Sequence, residues 1–86
     1  MAEDVSQIRE AVQILKRIAE DPGVPRNIRR AAAEAINILS DQKMSIGLRA
    51  ANAISRLDEV SMDPNAPLYA RTSIWQAIAL LEQIRD

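Results

Sequence analysis

Asp21 and Arg29 stand eight residues apart, and the same pair returns as Asp63 and Arg71. Both lie in the pattern D-P-x-x-P-x-x-x-R. A carboxylate and a guanidinium at this spacing suit one of two tasks. The two arginines can line a pocket for an anion or ligand. Alternatively, each Asp–Arg pair can lock a turn to the helix that follows it, the carboxylate also accepting backbone N–H groups at the helix start. Recurrence in both halves of the chain favours the lock, with Asp21, Arg29, Asp63 and Arg71 as its members.

A second cluster is basic. Residues 16–30 hold Lys16, Arg17, Arg26, Arg29 and Arg30 against Glu20 and Asp21, a local charge of +3 in a chain whose net charge is -1. Arg26, Arg29 and Arg30 crowd the start of one helix, where the helix dipole disfavours cations. A bound anion would offset that, so these three are the candidate anion or RNA contacts. Against nucleic acid stand a sequence pI near 5.4, only two lysines, and no aromatic platform beside the arginines. A solvated polar face is the plainer alternative.

Other chemistry is poorly served. The chain has no Cys and no His, which excludes thiolate and imidazole ligands, a Cys nucleophile and His-based triads. Two glycines cannot build a phosphate-cradling loop. Glu10, Glu34 and Glu59 fall on polar helix faces, where nothing raises a carboxylate pKa, and Tyr69 has no base beside it in sequence. The expectation is a non-enzymatic protein, with no catalytic residue, metal, cofactor or small-molecule substrate.

The elements that position these residues follow from an internal repeat. Residues 8–40 overlie 50–82 at a shift of 42, with nine of 33 pairs identical. The identities fall on the turn (Asp21/Asp63, Pro22/Pro64, Pro25/Pro67), on Arg29/Arg71, and on one helical face (Ala11/Ala53, Leu15/Leu57, Ala35/Ala77, Ile36/Ile78, Leu39/Leu81). Each unit reads as helix, tight turn, helix, which predicts helices near 4–20, 25–40, 45–62 and 67–85. Pro22 and Pro64 suit the second position of a type I or II turn, and Gly23 or Asn65 tolerates the positive φ that type II needs. Pro25 and Pro67 suit the first helical position, and Ser45 an N-cap. Apolar residues recur at helical spacing in every segment, as in Val5, Ile8, Ala11, Val12, Leu15 and Ile18.

The predicted fold is therefore all-α: a single domain over residues 1–86, an up-and-down four-helix bundle made of two duplicated hairpins. A HEAT-like pair of hairpins is the alternative. Several apolar residues fall outside the inward stripes. Ile14, Ile38, Leu80 and Trp75 are the candidate protein interface, because a small aliphatic bundle gains from association and Ile38 and Leu80 are repeat partners. Lys16 and Arg17 align with Asp58 and Glu59, so patches of opposite sign could pair within the chain or between copies.

The strings IAEDPGVPRNIRRAAAEA and LRAANAISRLDEVSMDPNAPLYARTSIWQAIALLE resemble the small archaeal proteins grouped as uncharacterised protein family 0147. The resemblance runs from about Ile8 to Ile84. It implies an all-helical four-helix fold in an archaeal cytoplasm and carries over no assigned activity or site residue. No stretch approaches ~18 consecutive apolar residues, and MAEDVSQIRE has no signal-peptide pattern. The expectation is a cytoplasmic module for protein–protein contact, a homodimer or docked to a larger partner. The alternative is an accessory RNA- or ribonucleoprotein-binding factor using Arg26, Arg29 and Arg30.

Overall fold

Proline-containing turns decide where the chain reverses. The computed structural model describes residues 2–86, with side chains from Ser6 onward, so the Val5 side chain lies outside the described residues. Four helices follow in order: α1 Ala2–Ala19, α2 Arg26–Leu39, α3 Ile46–Ser61 and α4 Leu68–Glu82. They pack in a ring, α1 on α2, α2 on α3, α3 on α4 and α4 back on α1. Connections this short make sequential neighbours antiparallel, and the ring closes an up-and-down bundle rather than an open stack of hairpins. Its extents are 36 × 20 × 19 Å.

All three connections have the same architecture, including the one between the repeat units. Residues 21–25, 41–45 and 63–67 each form a turn closed by a backbone bond: Val24 N to the Asp21 carbonyl at 3.1 Å, Met44 N to Asp41 at 3.2 Å, and Ala66 N to Asp63 at 3.1 Å. In each, the Asp Oδ1 accepts the N–H two residues on, at 2.8, 3.0 and 2.8 Å. No described residue has positive φ, so the turns are of the type I kind and the type II option falls. Pro25 and Pro67 sit one place earlier than expected. They are N-caps with φ -55° and -57°, and the Pro25 carbonyl accepts from Ile28 and Arg29. Ser45 caps α3 as expected, its Oγ accepting from Leu48 N at 3.2 Å.

The core is aliphatic and rich in alanine. Leu15, Leu57, Leu81, Ile28, Ile74, Ala11, Ala53, Ala35 and Ala77 are fully buried. Small residues at these seams let the helix backbones come close. Because the repeat relates α1–α2 to α3–α4, equivalent residues lie at the same level of the bundle on diagonal helices. Ile28 is matched by Ala70, and Ala32 by Ile74, all buried. At these two levels one large side chain is matched by one small one, while the pairs Leu15/Leu57 and Ala11/Ala53 keep the same residue.

Candidate functional site

The Asp–Arg motif is resolved differently from a simple ion pair. Arg29 is half-buried, and its Nε donates to the Val24 carbonyl at 2.9 Å, tying the turn to α2. Arg49 does the same to Met44 at 2.9 Å. Arg71 is half-buried too, but its Nε has no hydrogen-bond partner among the described residues. The Asp carboxylates bond across the molecule instead. Tyr69 donates its hydroxyl to Asp21 Oδ2 at 2.6 Å, and Asn27 donates its amide to Asp63 Oδ2 at 2.7 Å. Tyr69 and Asn27 are repeat partners, so the two turns hold one another reciprocally at one end of the bundle.

These bonds set the charges there. The Tyr69 hydroxyl, then the Gly23 N–H and the nearby Arg29, hold Asp21 below the usual carboxylate pKa. Asn27 and the Asn65 N–H do the same for Asp63. Asp21 pushes the Tyr69 phenol up. Tyr69 thus does have a carboxylate beside it, contrary to the sequence expectation, though the two pKa values move away from neutrality and from each other. Gly23 belongs to this arrangement: a Cβ there would lie 3.1 Å from the Tyr69 hydroxyl. The other turn has Asn65 at that place, opposite the smaller Asn27.

Of the basic cluster, Arg26 and Arg30 are exposed on the outer face of α2 while Arg29 is committed to Val24. Neither exposed arginine is in an ion pair among the described residues, and the first turn of α2 carries no acid. Lys16–Arg17 and Asp58–Glu59 sit on the diagonal helices α1 and α3 and do not meet. Glu59 pairs with Arg56 of its own helix, at 3.1 Å.

The candidate interface residues separate into two places. Ile14 and Leu80 come together in a groove of about 400 Å³ between α1 and α4, completed by Glu10, Gln76, Ala79 and Gln83. Ile38, although the repeat partner of Leu80, lies on α2, diagonally across the bundle. Both are half-buried rather than outward.

Trp75 points outward from α4, 45% exposed, beside Leu68 at 67%. Thr72 and Ala79 are exposed with them. These four recur at i, i+4, i+7 and i+11, one stripe of a helix. The Thr72 hydroxyl is taken by the Leu68 carbonyl at 3.0 Å, which leaves its methyl to the surface. At the equivalent positions α2 has Arg26, Arg30, Ala33 and Asn37. At these four positions α2 is basic and polar and α4 is uncharged; charge returns on α4 at exposed Glu82. Of these four, the sequence marks Leu68 and Trp75 as apolar residues off the inward stripe, and Trp75 alone as a candidate interface residue. Writing α2 over α4 position by position was the signal for the whole stripe.

Among the described residues no group of three or more acidic side chains could hold a metal ion, and no helix is long and apolar enough to cross a membrane.

Comparison with known proteins places relatives beside this geometry. A model of the uncharacterised protein family UPF0147 matches residues 1–84. A UPF0147 protein of Aeropyrum pernix is 58% identical over 85 residues, covering 99% of this chain and 93% of that one. One from Desulfurococcus amylolyticus is 56% identical over 80 residues, covering 93% and 88%. Among solved structures, a protein of this family from Thermoplasma acidophilum superimposes with TM-score 0.92 at 33% identity, covering 99% of this chain and 100% of that one. A crystal structure of a protein of unknown function superimposes with TM-score 0.91 at 40% identity, covering 95% and 93%.

Proposed function

The chain belongs to the uncharacterised protein family UPF0147, and we propose that it works as a self-associating helical module whose contact surface is the outer face of α4. One observation carries this: at the four outward positions where α2 has Arg26, Arg30, Ala33 and Asn37, α4 has Leu68, Thr72, Trp75 and Ala79. The bundle tolerates charge at these places, so the fold does not explain its absence from these four positions of α4. An uncharged stripe with a large aromatic at its centre is the composition of an interface core.

The stripe is also complementary to itself. About a twofold axis between Thr72 and Trp75, two antiparallel α4 helices set Leu68 against the partner's Ala79 and Trp75 against the partner's Thr72. Large residues meet small ones throughout, as an isologous contact requires. Ile14 and Leu80 border this contact, and the groove they line shares Ala79 with it.

Trp75 is the single tryptophan and therefore reports the contact directly. Its emission moves to shorter wavelength as protein concentration rises, in step with the mass from light scattering. Emission independent of concentration in a protein that stays monomeric removes the proposal.

A second reading, an accessory RNA or ribonucleoprotein contact, is favoured by one fact: Arg26 and Arg30 are exposed and, among the described residues, unpaired at the start of a helix with no acid in its first turn. Two phosphate contacts give a salt slope of only about -1.4 on single-stranded RNA. Retention on RNA that falls with this slope and vanishes in Arg26→Ala/Arg30→Ala supports it; absent or unchanged retention eliminates it.

A further inference from the structure

The groove between α2 and α3 and the groove between α1 and α4 are repeat equivalents, yet only one is filled. In the α2/α3 groove, Arg56 reaches from α3 across to Glu34 on α2 and also bonds Glu59. Its side chain is only 24% exposed. In the α1/α4 groove the residue equivalent to Arg56 is Ile14, and that equivalent to Glu34 is Gln76. The shorter, uncharged pair leaves about 400 Å³ open.

We propose that the α1/α4 groove receives an arginine side chain from a partner protein, in the position Arg56 fills in the other half. Ile14, Leu80 and Ala79 give an aliphatic floor for the stem, and long cationic side chains lay their methylenes along such surface. Among the described residues, Glu10 is the one charged residue lining the groove, and no cation lines it. Gln76 adds a carboxamide oxygen, while the Gln83 oxygen accepts from the Gln7 amide. A carboxylate with a flanking carboxamide oxygen matches the planar, five-donor guanidinium better than a compact ammonium. This site adjoins the outer stripe of α4 and shares Ala79 with it, but it does not depend on self-association: a strictly monomeric chain keeps the groove.

The probe is N-acetyl-arginine amide, followed by NMR on the labelled full chain, with the uncharged isostere N-acetyl-citrulline amide in parallel. Arginine is expected to shift the Ile14 and Leu80 methyls and the Gln76 side-chain amide, and to bind about tenfold more tightly than citrulline. Glu10→Gln brings arginine down to the citrulline level. Ile14→Arg combined with Gln76→Glu rebuilds the pair of the other half and abolishes the shifts, while the melting temperature shows that the fold is kept. Three results overturn the proposal: equal shifts with both probes, shifts spread over exposed carboxylates such as Asp58 and Glu59, or shifts that survive in the filled variant. Loss of self-association in the filled variant also overturns it, by making the groove part of the contact between copies.

Discussion

Asp21 and Asp63 carry the end of the bundle, and their partners dictate how stability responds to pH. Both carboxyls titrate below the ordinary 3.8 in the folded chain. Their contribution is therefore present above pH ~4 and is lost as pH falls through the lowered values. Tyr69 titrates above its ordinary 10.0, so its contribution is present below about pH 10 and lost as pH rises through the raised value. Urea midpoints measured across pH should fall at both extremes for the wild type. Tyr69→Phe should flatten the alkaline side and part of the acid side, while Asp63→Asn should touch only the acid side. The Asp–Arg spacing was visible in the sequence, but its chemistry was not. The partner of Asp21 is 48 residues away and becomes a neighbour only through the twofold arrangement of the hairpins. The Gly23–Tyr69 and Asn65–Asn27 match was hidden for the same reason. Gly23→Asn should accordingly displace the Tyr69 hydroxyl and lose the Tyr69 dependence on the alkaline side, whereas Asn65→Gly should leave the Asn27–Asp63 bond in place.

At the scale of the helices, packing dominates. Leu57→Ala, at a fully buried site, should cost about 2–5 kcal/mol in chemical denaturation. The levels of the bundle offer a sharper test. Ile28→Ala leaves two small residues at one level, and Ala70→Ile crowds one large residue against another. Each alone should destabilise, by about 2–5 and 1–3 kcal/mol respectively. Together they restore one large and one small residue, so the double variant should be more stable than the sum of the single costs allows. Simple additivity in the double-mutant cycle would contradict this account of the core. The helices themselves were legible from apolar periodicity, Pro and Ser signals, with ends out by a few residues. Pro25 and Pro67 were placed one position late, because a proline is equally comfortable just inside a helix and at its cap. The connection at 41–45 was missed as a third copy of the turn, since Gln42 and Ser45 replace the two prolines. The surviving signal was Asp41…Arg49, again eight residues apart.

For the whole molecule, the ring order of the helices decides which surface residues can act together. Ile38 and Leu80 read as one conserved feature of the repeat, but the twofold that relates them puts them on opposite sides. The same symmetry turns a comparison within one chain into a control: α2 shows what α4 would look like without its uncharged stripe. Transferring the α2 face onto α4 (Leu68→Arg, Thr72→Arg, Trp75→Ala, Ala79→Asn) should leave the helical content unchanged, because the same side chains already stand on the same scaffold. Sedimentation equilibrium on the wild type and on this variant is the direct measurement. The wild type should approach about 19 kDa, twice the 9.5 kDa chain, and the variant should remain at 9.5 kDa over the same concentrations. A wild type that stays monomeric, or a variant that associates as strongly as the wild type, would contradict the claim that α4 is the face by which this protein recognises its own copy.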